Sequence, residues 1–213
     1  MENMIEVRNV TKKFQEYKAL DDITLTFEKG KIHGVIGRNG SGKTVLFKCI
    51  CGFLKVDKGE IFIEGKKLGR DIEAPPDAGV IIENPGFLPG YNGFQNLSFL
   101  AGIKKKISKN DIKGVLERVG LDAGSNKHVG KYSLGMKQRL GIAQAIMEEP
   151  SLLILDEPMN GLDNQGVEEV RMLLMKLKEE GKTILLASHN KEDISVLCDT
   201  VMEFDKGKIL EKR

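Results

Sequence analysis

Tryptophan is absent from this 213-residue sequence, and cysteine, proline and aromatic residues are all scarce. The three cysteines, Cys49, Cys51 and Cys198, are an odd number, and their spacing fits neither a zinc site nor a redox pair. They lie within apolar segments, so we expect them to be core residues. A chain of this length can bury a sufficient core without disulfides or structural metals.

Long hydrophobic runs are also missing. The run at 152–155 is among the longest and falls far short of the roughly 20 residues that span a bilayer. The N-terminus lacks the basic start and apolar stretch of a signal peptide. We therefore expect a cytoplasmic protein. Charged residues make up 30% of the chain and nearly cancel, to a net charge of +2, which argues against a dedicated nucleic-acid-binding protein.

What the sequence does contain is a glycine-rich phosphate-binding pattern between an apolar run at 32–36 and a predicted helix at 45–51. Its residues are Gly37, Arg38, Asn39, Gly40, Ser41, Gly42, Lys43 and Thr44. The glycines let successive N–H groups form an anion nest, and the following helix adds its positive dipole end. Lys43 supplies a charge towards the β- and γ-phosphates, and Thr44 a hydroxyl for Mg²⁺. The pattern predicts binding of a nucleoside triphosphate.

The hydrophobic periodicity predicts an α/β fold. Alternation at 5–10, 23–27 and 59–63 indicates an antiparallel β layer. Apolar runs at 79–83, 152–155 and 183–187 indicate buried strands of a mainly parallel sheet. Helical periodicity fills 84–150, where Ser108 and Asp111 form a predicted capping box and Gly120 a predicted helix end. We predict one domain over 1–213, with a nucleotide-binding core at 1–83 and 151–213 and an inserted helical subdomain at 84–150.

Chemically capable side chains follow the predicted buried strands. Asp156 ends the most apolar strand and is placed to hold Mg²⁺. Glu157 comes next in what we expect to be an extended chain, where it would orient or deprotonate a water molecule. His189 and Glu83 follow neighbouring strands, and His189 could donate to a γ-phosphate oxygen. Ligands of open α/β sheets bind at this carboxyl edge.

A second anion site is predicted where Ser133 and Gly135 begin the helix at 134–147. It belongs to the helical segment rather than to the phosphate loop. One phosphate loop rarely needs a second phosphate site, unless that site serves a different nucleotide.

Taken in order, these segments resemble the nucleotide-binding subunit of an ATP-binding cassette (ABC) transporter over essentially the whole chain. Residues 37–44 are similar to the Walker A loop, and 152–156 to the Walker B strand. Residues 160–163 resemble the D-loop, and 132–136 the family signature. The resemblance implies a P-loop NTPase core of the RecA-like type. It also implies that Phe14, or else Tyr17, stacks on the adenine of ATP.

The resemblance implies roles for the polar residues as well. Glu157 would be the catalytic glutamate and His189 the switch histidine. The Mg²⁺ ligands would be Thr44, Asp156 and Glu83. Two cassettes, identical or different, would pair head to tail, so that Ser133 and Gly135 act in trans on the nucleotide of the other subunit. The chain would then hydrolyse ATP and power transport through a separate membrane permease, at the inner face of the membrane.

Three positions depart from the family pattern. Glu83 stands where a glutamine is usual, and it adds negative charge beside a triphosphate. Leu134 replaces the first signature glycine, so we expect it to limit backbone approach to the phosphate, and Met136 replaces the signature glutamine. The combination predicts an active but slow ATPase. It is similar to cassettes of bacterial antibiotic and lantibiotic-peptide export systems.

Two other classes of protein remain as alternatives. A soluble cassette ATPase uncoupled from transport, such as an iron–sulfur assembly ATPase, fits the same motifs. A P-loop kinase or GTPase fits less well. The segment 126–129 has the Asn-Lys of a guanine-reading motif but lacks its aspartate, and a kinase leaves 133–136 unexplained.

Overall fold

The computed structural model describes residues 2–83 and 86–212. The predicted helical subdomain starts at Asn84, which with Pro85 lies outside the described residues, as do the two ends of the predicted domain, Met1 and Arg213. The strands are β1 (Asn3–Phe14), β2 (Tyr17–Glu28), β3 (Ile32–Gly37), β4 (Lys58–Ile63), β5 (Lys66–Lys67), β6 (Ala78–Ile81), β7 (Leu152–Asp156), β8 (Thr183–Ala187), β9 (Thr200–Asp205) and β10 (Lys208–Lys212). The helices are α1 (Lys43–Ile50), α2 (Gly93–Lys104), α3 (Lys109–Arg118), α4 (Leu134–Ile146), α5 (Asn164–Glu179) and α6 (Lys191–Leu197).

An antiparallel sheet in the order β2-β1-β4-β5 forms the first layer, as the alternating pattern predicts. Val7 of the central strand β1 faces Leu25 on one side and Ile61 on the other. The inward side chains of this layer pack with Phe47 of α1 and Phe204 of β9 in one buried cluster. Helix α1 is thereby fixed between the two sheets.

The second sheet has the order β10-β9-β3-β8-β7-β6. Strands β9, β3, β8, β7 and β6 pair in parallel, and β10 is antiparallel to β9. Strands β7 and β8 are buried along their whole length, as expected for parallel strands covered on both faces. Since β3, β7 and β8 run in the same direction, the loops that follow them meet at one edge of the sheet.

Helices α2, α3 and α4 lie between β6 and β7 in the chain. The predicted capping box is confirmed, because the Ser108 side chain accepts from the backbone N–H of Asp111 while the Asp111 side chain accepts from that of Ser108. Gly120 follows α3 with a φ of 73°, a left-handed conformation suited to glycine after a helix end. Within the described residues, no helix combines the length and the apolar character needed to cross a bilayer.

The prediction of a fully buried strand at 79–83 is wrong in two respects, its end and its burial. Strand β6 ends at Ile81, not Glu83, and its side chains alternate between buried and half-buried because it is the edge strand of the sheet. Glu83 follows the strand in a bend with a φ of 61°.

We expect the cysteines to be core residues, and two of the three are fully buried. Cys49 and Cys51 are buried and Cys198 is half-buried, and burial raises their thiol pKa values to about 11, 12 and 12.

Candidate active site

The phosphate loop, residues 37–44, turns sharply from β3 into α1. Gly37 and Gly42 have φ values of 151° and 113°. A Cβ atom at Gly37 would overlap the carbonyl oxygen of Phe204, and one at Gly42 would overlap that of Ala19. These two positions therefore require glycine for lack of space as well as for conformation.

Lys43 lies inside this loop and is only 6% exposed. Its Nζ donates to the carbonyl oxygens of Gly37 at 2.6 Å and Arg38 at 3.3 Å. An ammonium group has three hydrogens to donate, so it can still bind a phosphate oxygen. The Arg38 and Asn39 side chains are exposed at the rim of the loop.

Ser41 supplies a further sign that the loop is built for a ligand. Its hydroxyl oxygen is buried and, within the described residues, has no hydrogen-bond partner. Buried polar groups are almost always satisfied, and an exception calls for a missing partner. A phosphate oxygen held by the loop would supply one.

Asp156 and Thr44 meet at the end of β7, where the Thr44 hydroxyl donates to Asp156 Oδ2 at 2.6 Å. Burial raises the pKa of Asp156, and the Thr44 hydrogen bond and the Lys43 charge oppose that rise. Carboxylate and hydroxyl oxygens suit Mg²⁺, which takes a few protein ligands together with waters and substrate phosphates. The described residues contain no cluster of three or more acidic, histidine or cysteine side chains that could hold a metal ion.

Replacing Asp156 by asparagine is expected to stabilise the nucleotide-free protein. Folding raises this carboxyl's pKa above its ordinary 3.8, so its negative charge destabilises the folded protein. This destabilisation begins as the pH rises through 3.8 and is complete above the raised pKa. The Asn oxygen can still accept from Thr44. At neutral pH we expect a gain of about 1 kcal/mol, or about 2–4 °C in Tm, that shrinks on acidification. Thermal unfolding at several pH values measures it, and a lower Tm for Asp156→Asn at neutral pH would contradict it.

Glu157 and His189 form a pair beside this site. Glu157 Oε2 lies 2.8 Å from His189 Nδ1 and 3.4 Å from the His189 backbone nitrogen. The expected extended conformation of Glu157 is wrong. Its φ is 52°, a left-handed conformation. The Glu157 N–H still donates to the Ala187 carbonyl in the manner of a β7–β8 pair, and the chain then leaves the sheet at Glu157. The His189 side chain is 68% exposed, so the pair lies at the open rim of the site.

A buried hydrogen-bond network, which the sequence motifs do not reveal, holds the loop that contains His189. Arg171 of α5 donates from Nε and Nη2 to Asp193 Oδ1, at 3.0 and 2.6 Å. Asp193 Oδ2 accepts from the Ser188 hydroxyl, which in turn accepts from the Asn190 N–H. Both neighbours of His189 are thus fixed although its own side chain is exposed.

Phe14 and Tyr17 line the same cavity as the phosphate loop, Asp156 and Glu157. The Phe14 ring is 45% exposed, and the Lys12 ammonium lies 5.6 Å from its centre. Tyr17 donates its hydroxyl to the Gly40 carbonyl at 3.0 Å. The structure therefore places both candidate aromatic residues next to the phosphate loop.

Ser133 and Gly135 do not line that cavity. Ser133 caps α4 as predicted, since its side chain accepts from the Met136 N–H at 3.2 Å. The helix cap is therefore confirmed, while the second anion site stays a prediction at a place that does not line the cavity of the same chain's phosphate loop.

Lys48 is a candidate site residue that no motif reveals. From α1 it donates to Glu83 Oε1 at 2.6 Å. Both side chains act on Asp156, whose pKa is raised by the Glu83 charge and lowered by that of Lys48. Lys48 thus offsets the negative charge that Glu83 adds near Asp156.

Replacing Lys48 by methionine is expected to weaken ATP binding about threefold at low salt, because Glu83 is left uncompensated. The pair is partly exposed, which keeps the effect small. Titration with a fluorescent ATP analogue without Mg²⁺ measures it. The double variant Lys48→Met/Glu83→Gln should bind like the parent protein. Unchanged affinity in Lys48→Met alone would show that Lys48 does not compensate Glu83.

Comparison with known proteins decides the family. Residues 20–160 match the family model described as ABC transporter. The chain belongs to this family. The predicted P-loop NTPase fold and the role of an ATP-binding, ATP-hydrolysing transporter subunit are confirmed, and this role is favoured over the uncoupled ATPase.

This ABC cassette is similar to several bacterial proteins. The ABC transporter ATP-binding protein YybJ of Bacillus subtilis is 49% identical over 97% of this chain and 94% of its own length. The bacitracin transport ATP-binding protein BcrA of Enterococcus faecalis is 42% identical over 100% of this chain and 70% of its own length. The lantibiotic transport ATP-binding protein SrtF of Streptococcus pyogenes is 35% identical over 97% and 89%. The predicted likeness to antibiotic and lantibiotic cassettes is confirmed.

The fold of this cassette also matches a solved structure. The dimeric bacterial ABC transporter cassette MJ0796 superposes with a TM-score of 0.90 at 22% identity, over 99% of this chain and 98% of the other. At this identity the match supports the fold alone.

Proposed function

We propose that this cassette is an Mg²⁺-dependent ATPase that works as a head-to-tail dimer and drives export through a separate permease at the inner face of the membrane. The observation that carries the proposal is the edge of the parallel sheet. There the Thr44–Asp156 and Glu157–His189 pairs lie beside the phosphate loop, while Ser133 and Gly135 lie elsewhere.

The phosphates would be held by the loop itself. Its N–H groups, the Lys43 ammonium and the Ser41 hydroxyl supply the donors, and Phe14 a face for the adenine ring. Thr44 and Asp156 would hold Mg²⁺, with Glu83 as a third ligand that would have to exchange Lys48 for the metal. The metal would neutralise charge on the phosphate oxygens.

Glu157 and His189 would carry the hydrolytic step. Glu157 is placed to accept hydrogen from an attacking water, because its other carboxylate oxygen is not the one paired with His189. His189 orients that carboxylate and can donate towards the γ-phosphate. Neither group needs to enter the loop, so both act at its open rim.

A second cassette would complete the site. Phosphoryl transfer needs charge stabilisation around the γ-phosphate, and one phosphate loop leaves a face of it open. Ser133 and Gly135 begin a 13-residue helix whose positive dipole end suits that face. Because they lie outside their own chain's cavity, we assign them to the nucleotide of the other subunit, which is either an identical or a different cassette.

The described part of the helical subdomain, residues 86–150, would move relative to the described core, residues 2–83 and 151–212, as the nucleotide state changes. This movement would drive the permease. The relatives support a substrate class, since BcrA is named for bacitracin transport and SrtF for lantibiotic transport. We infer efflux of a related class of compound by this cassette.

Coexpression with a candidate permease of about six spans of roughly 20 residues tests the proposal. The tagged cassette should copurify with the permease from detergent-solubilised membranes, and its ATPase rate should rise after reconstitution in lipid vesicles. A permease with its cytoplasmic loops deleted is the control. Mg²⁺-dependent ATPase activity without association with any permease encoded beside it would instead support the uncoupled ATPase.

A further inference from the structure

The backbone of Glu157 is held in a conformation that its neighbours must impose. A left-handed φ of 52° is unfavourable for a residue with a Cβ atom. Its N–H donates to the Ala187 carbonyl at 2.9 Å, and its carbonyl accepts from the Asn160 N–H at 3.1 Å. Any group that holds this turn also sets the direction of the Glu157 carboxylate.

Helix α4 provides such a group. Gln138 is 7% exposed, and its Nε2 donates to the Glu157 carbonyl at 3.2 Å. Residues four apart lie on one face of a helix, so Leu134 lies on the same face of α4 as Gln138. The Leu134 side chain packs against Gly161, where a Cβ atom would overlap it. Leu134 and Gln138 therefore contact both ends of the turn at 157–161.

The same helix begins at Ser133. Gln138 lies five residues further along, which is about 7.5 Å on an α-helix. A hydrogen-bonded helix of this length moves as a rigid element, so a shift at Ser133 is carried to Gln138. The signature end of α4 and the Glu157 turn are joined within one chain.

We propose that Gln138 and Leu134 are positioning residues that couple the two nucleotide sites of the dimer. This inference rests on the proposed function, in which Ser133 contacts the nucleotide of the partner. When α4 closes on that nucleotide, Gln138 and Leu134 fix the turn at 157–161 and so orient this chain's own Glu157. Leu134, which replaces a signature glycine, then serves the turn rather than the phosphate.

Gln138→Met tests the coupling, since methionine has a similar length and shape but cannot donate. We expect kcat to fall about 10-fold, because misplaced catalytic groups are costly, with unchanged ATP affinity of the monomer and a Tm lower by only about 1–4 °C, the cost of one lost hydrogen bond. Gln144→Met, on the same helix but next to β6, is the matched control and should match the parent. Leu134→Ala should act in the same direction as Gln138→Met, and because Leu134 is 57% exposed the variant should fold.

Hydrogen exchange gives a readout that does not depend on turnover. In a Glu157→Gln dimer trapped with ATP, amide exchange at residues 159–162 should slow at least several-fold relative to the monomer. Adding Gln138→Met should remove that slowing. A variant that loses Tm and ATP affinity together with kcat would show a merely structural role and overturn the proposal.

The results that would contradict the proposed function differ from those that would contradict the coupling role. If the parent protein shows no ATPase activity and no nucleotide-dependent pairing, either with itself or with a second cassette, the proposed function fails. If the parent is active and Gln138→Met retains both its kcat and its nucleotide-dependent exchange, the coupling role is wrong and the function stands.

Discussion

Glu157→Gln is expected to reduce steady-state ATP hydrolysis about 1,000-fold and to trap an ATP-bound dimer. General-base groups typically contribute factors of about 10²–10⁴, and an amide cannot accept the proton of the attacking water. The substitution keeps the size of the side chain, so the loop, Lys43 and Asp156 should bind ATP as before. Without hydrolysis the two subunits have no step that separates them.

Phosphate release measures the rate, and size-exclusion chromatography with ATP measures the dimer. Glu149→Gln is a matched control, because Glu149 is also a glutamate with a left-handed φ, here 51°, but lies after α4 on the surface. It should behave like the parent. Hydrolysis by Glu157→Gln at the parent rate would show that Glu157 is not the catalytic group.

Lys43→Ala is expected to weaken ATP binding by about 100-fold or more. A buried ammonium aimed at phosphates makes charge-assisted hydrogen bonds that water would not replace. The loop also loses the bonds from Nζ to the Gly37 and Arg38 carbonyls, which hold its shape. Lys43→Arg should not restore binding, because the planar guanidinium group is larger than the compact ammonium group and does not fit the same space.

Titration with a fluorescent ATP analogue measures this loss, and thermal unfolding shows whether the variant remains folded. Lys55→Ala, at an exposed position beyond α1, is the control for removal of a positive charge. If Lys43→Ala is folded and binds ATP with the parent affinity, the loop at 37–44 is not the phosphate site.

Local sequence patterns predict those parts of the structure that depend on residues close together in the chain. The phosphate loop needs glycines and a lysine at fixed spacing, and the strand at 152–156 is recognisable because every residue in it is apolar until Asp156. The Ser108 capping box is equally local, since both of its bonds join residues three apart. The order of these motifs then indicated the family.

Contacts between distant segments could not be predicted in the same way. Lys48 and Glu83 are 35 residues apart, and Gln138 and Glu157 are 19 apart. A lysine or glutamine on a helix is usually a solvated residue, and only the packing of α4 against the end of β7 gives Gln138 its partner. The end of β6 was also misjudged, because apolar character continues to Ile82 beyond the last strand pairing.

The central claim is that one subunit completes the site of the other, and mixing two inactive variants tests it most directly. Lys43→Ala lacks a working phosphate loop, and Ser133→Arg lacks a working signature. In a head-to-tail dimer of one copy of each, one site carries both defects and the other carries none. The mixture should recover about one quarter of the parent rate, because half of the dimers are mixed and each has one intact site. If Ser133 acted on its own chain's nucleotide, every site would carry one defect, and the mixture would stay as inactive as either variant alone.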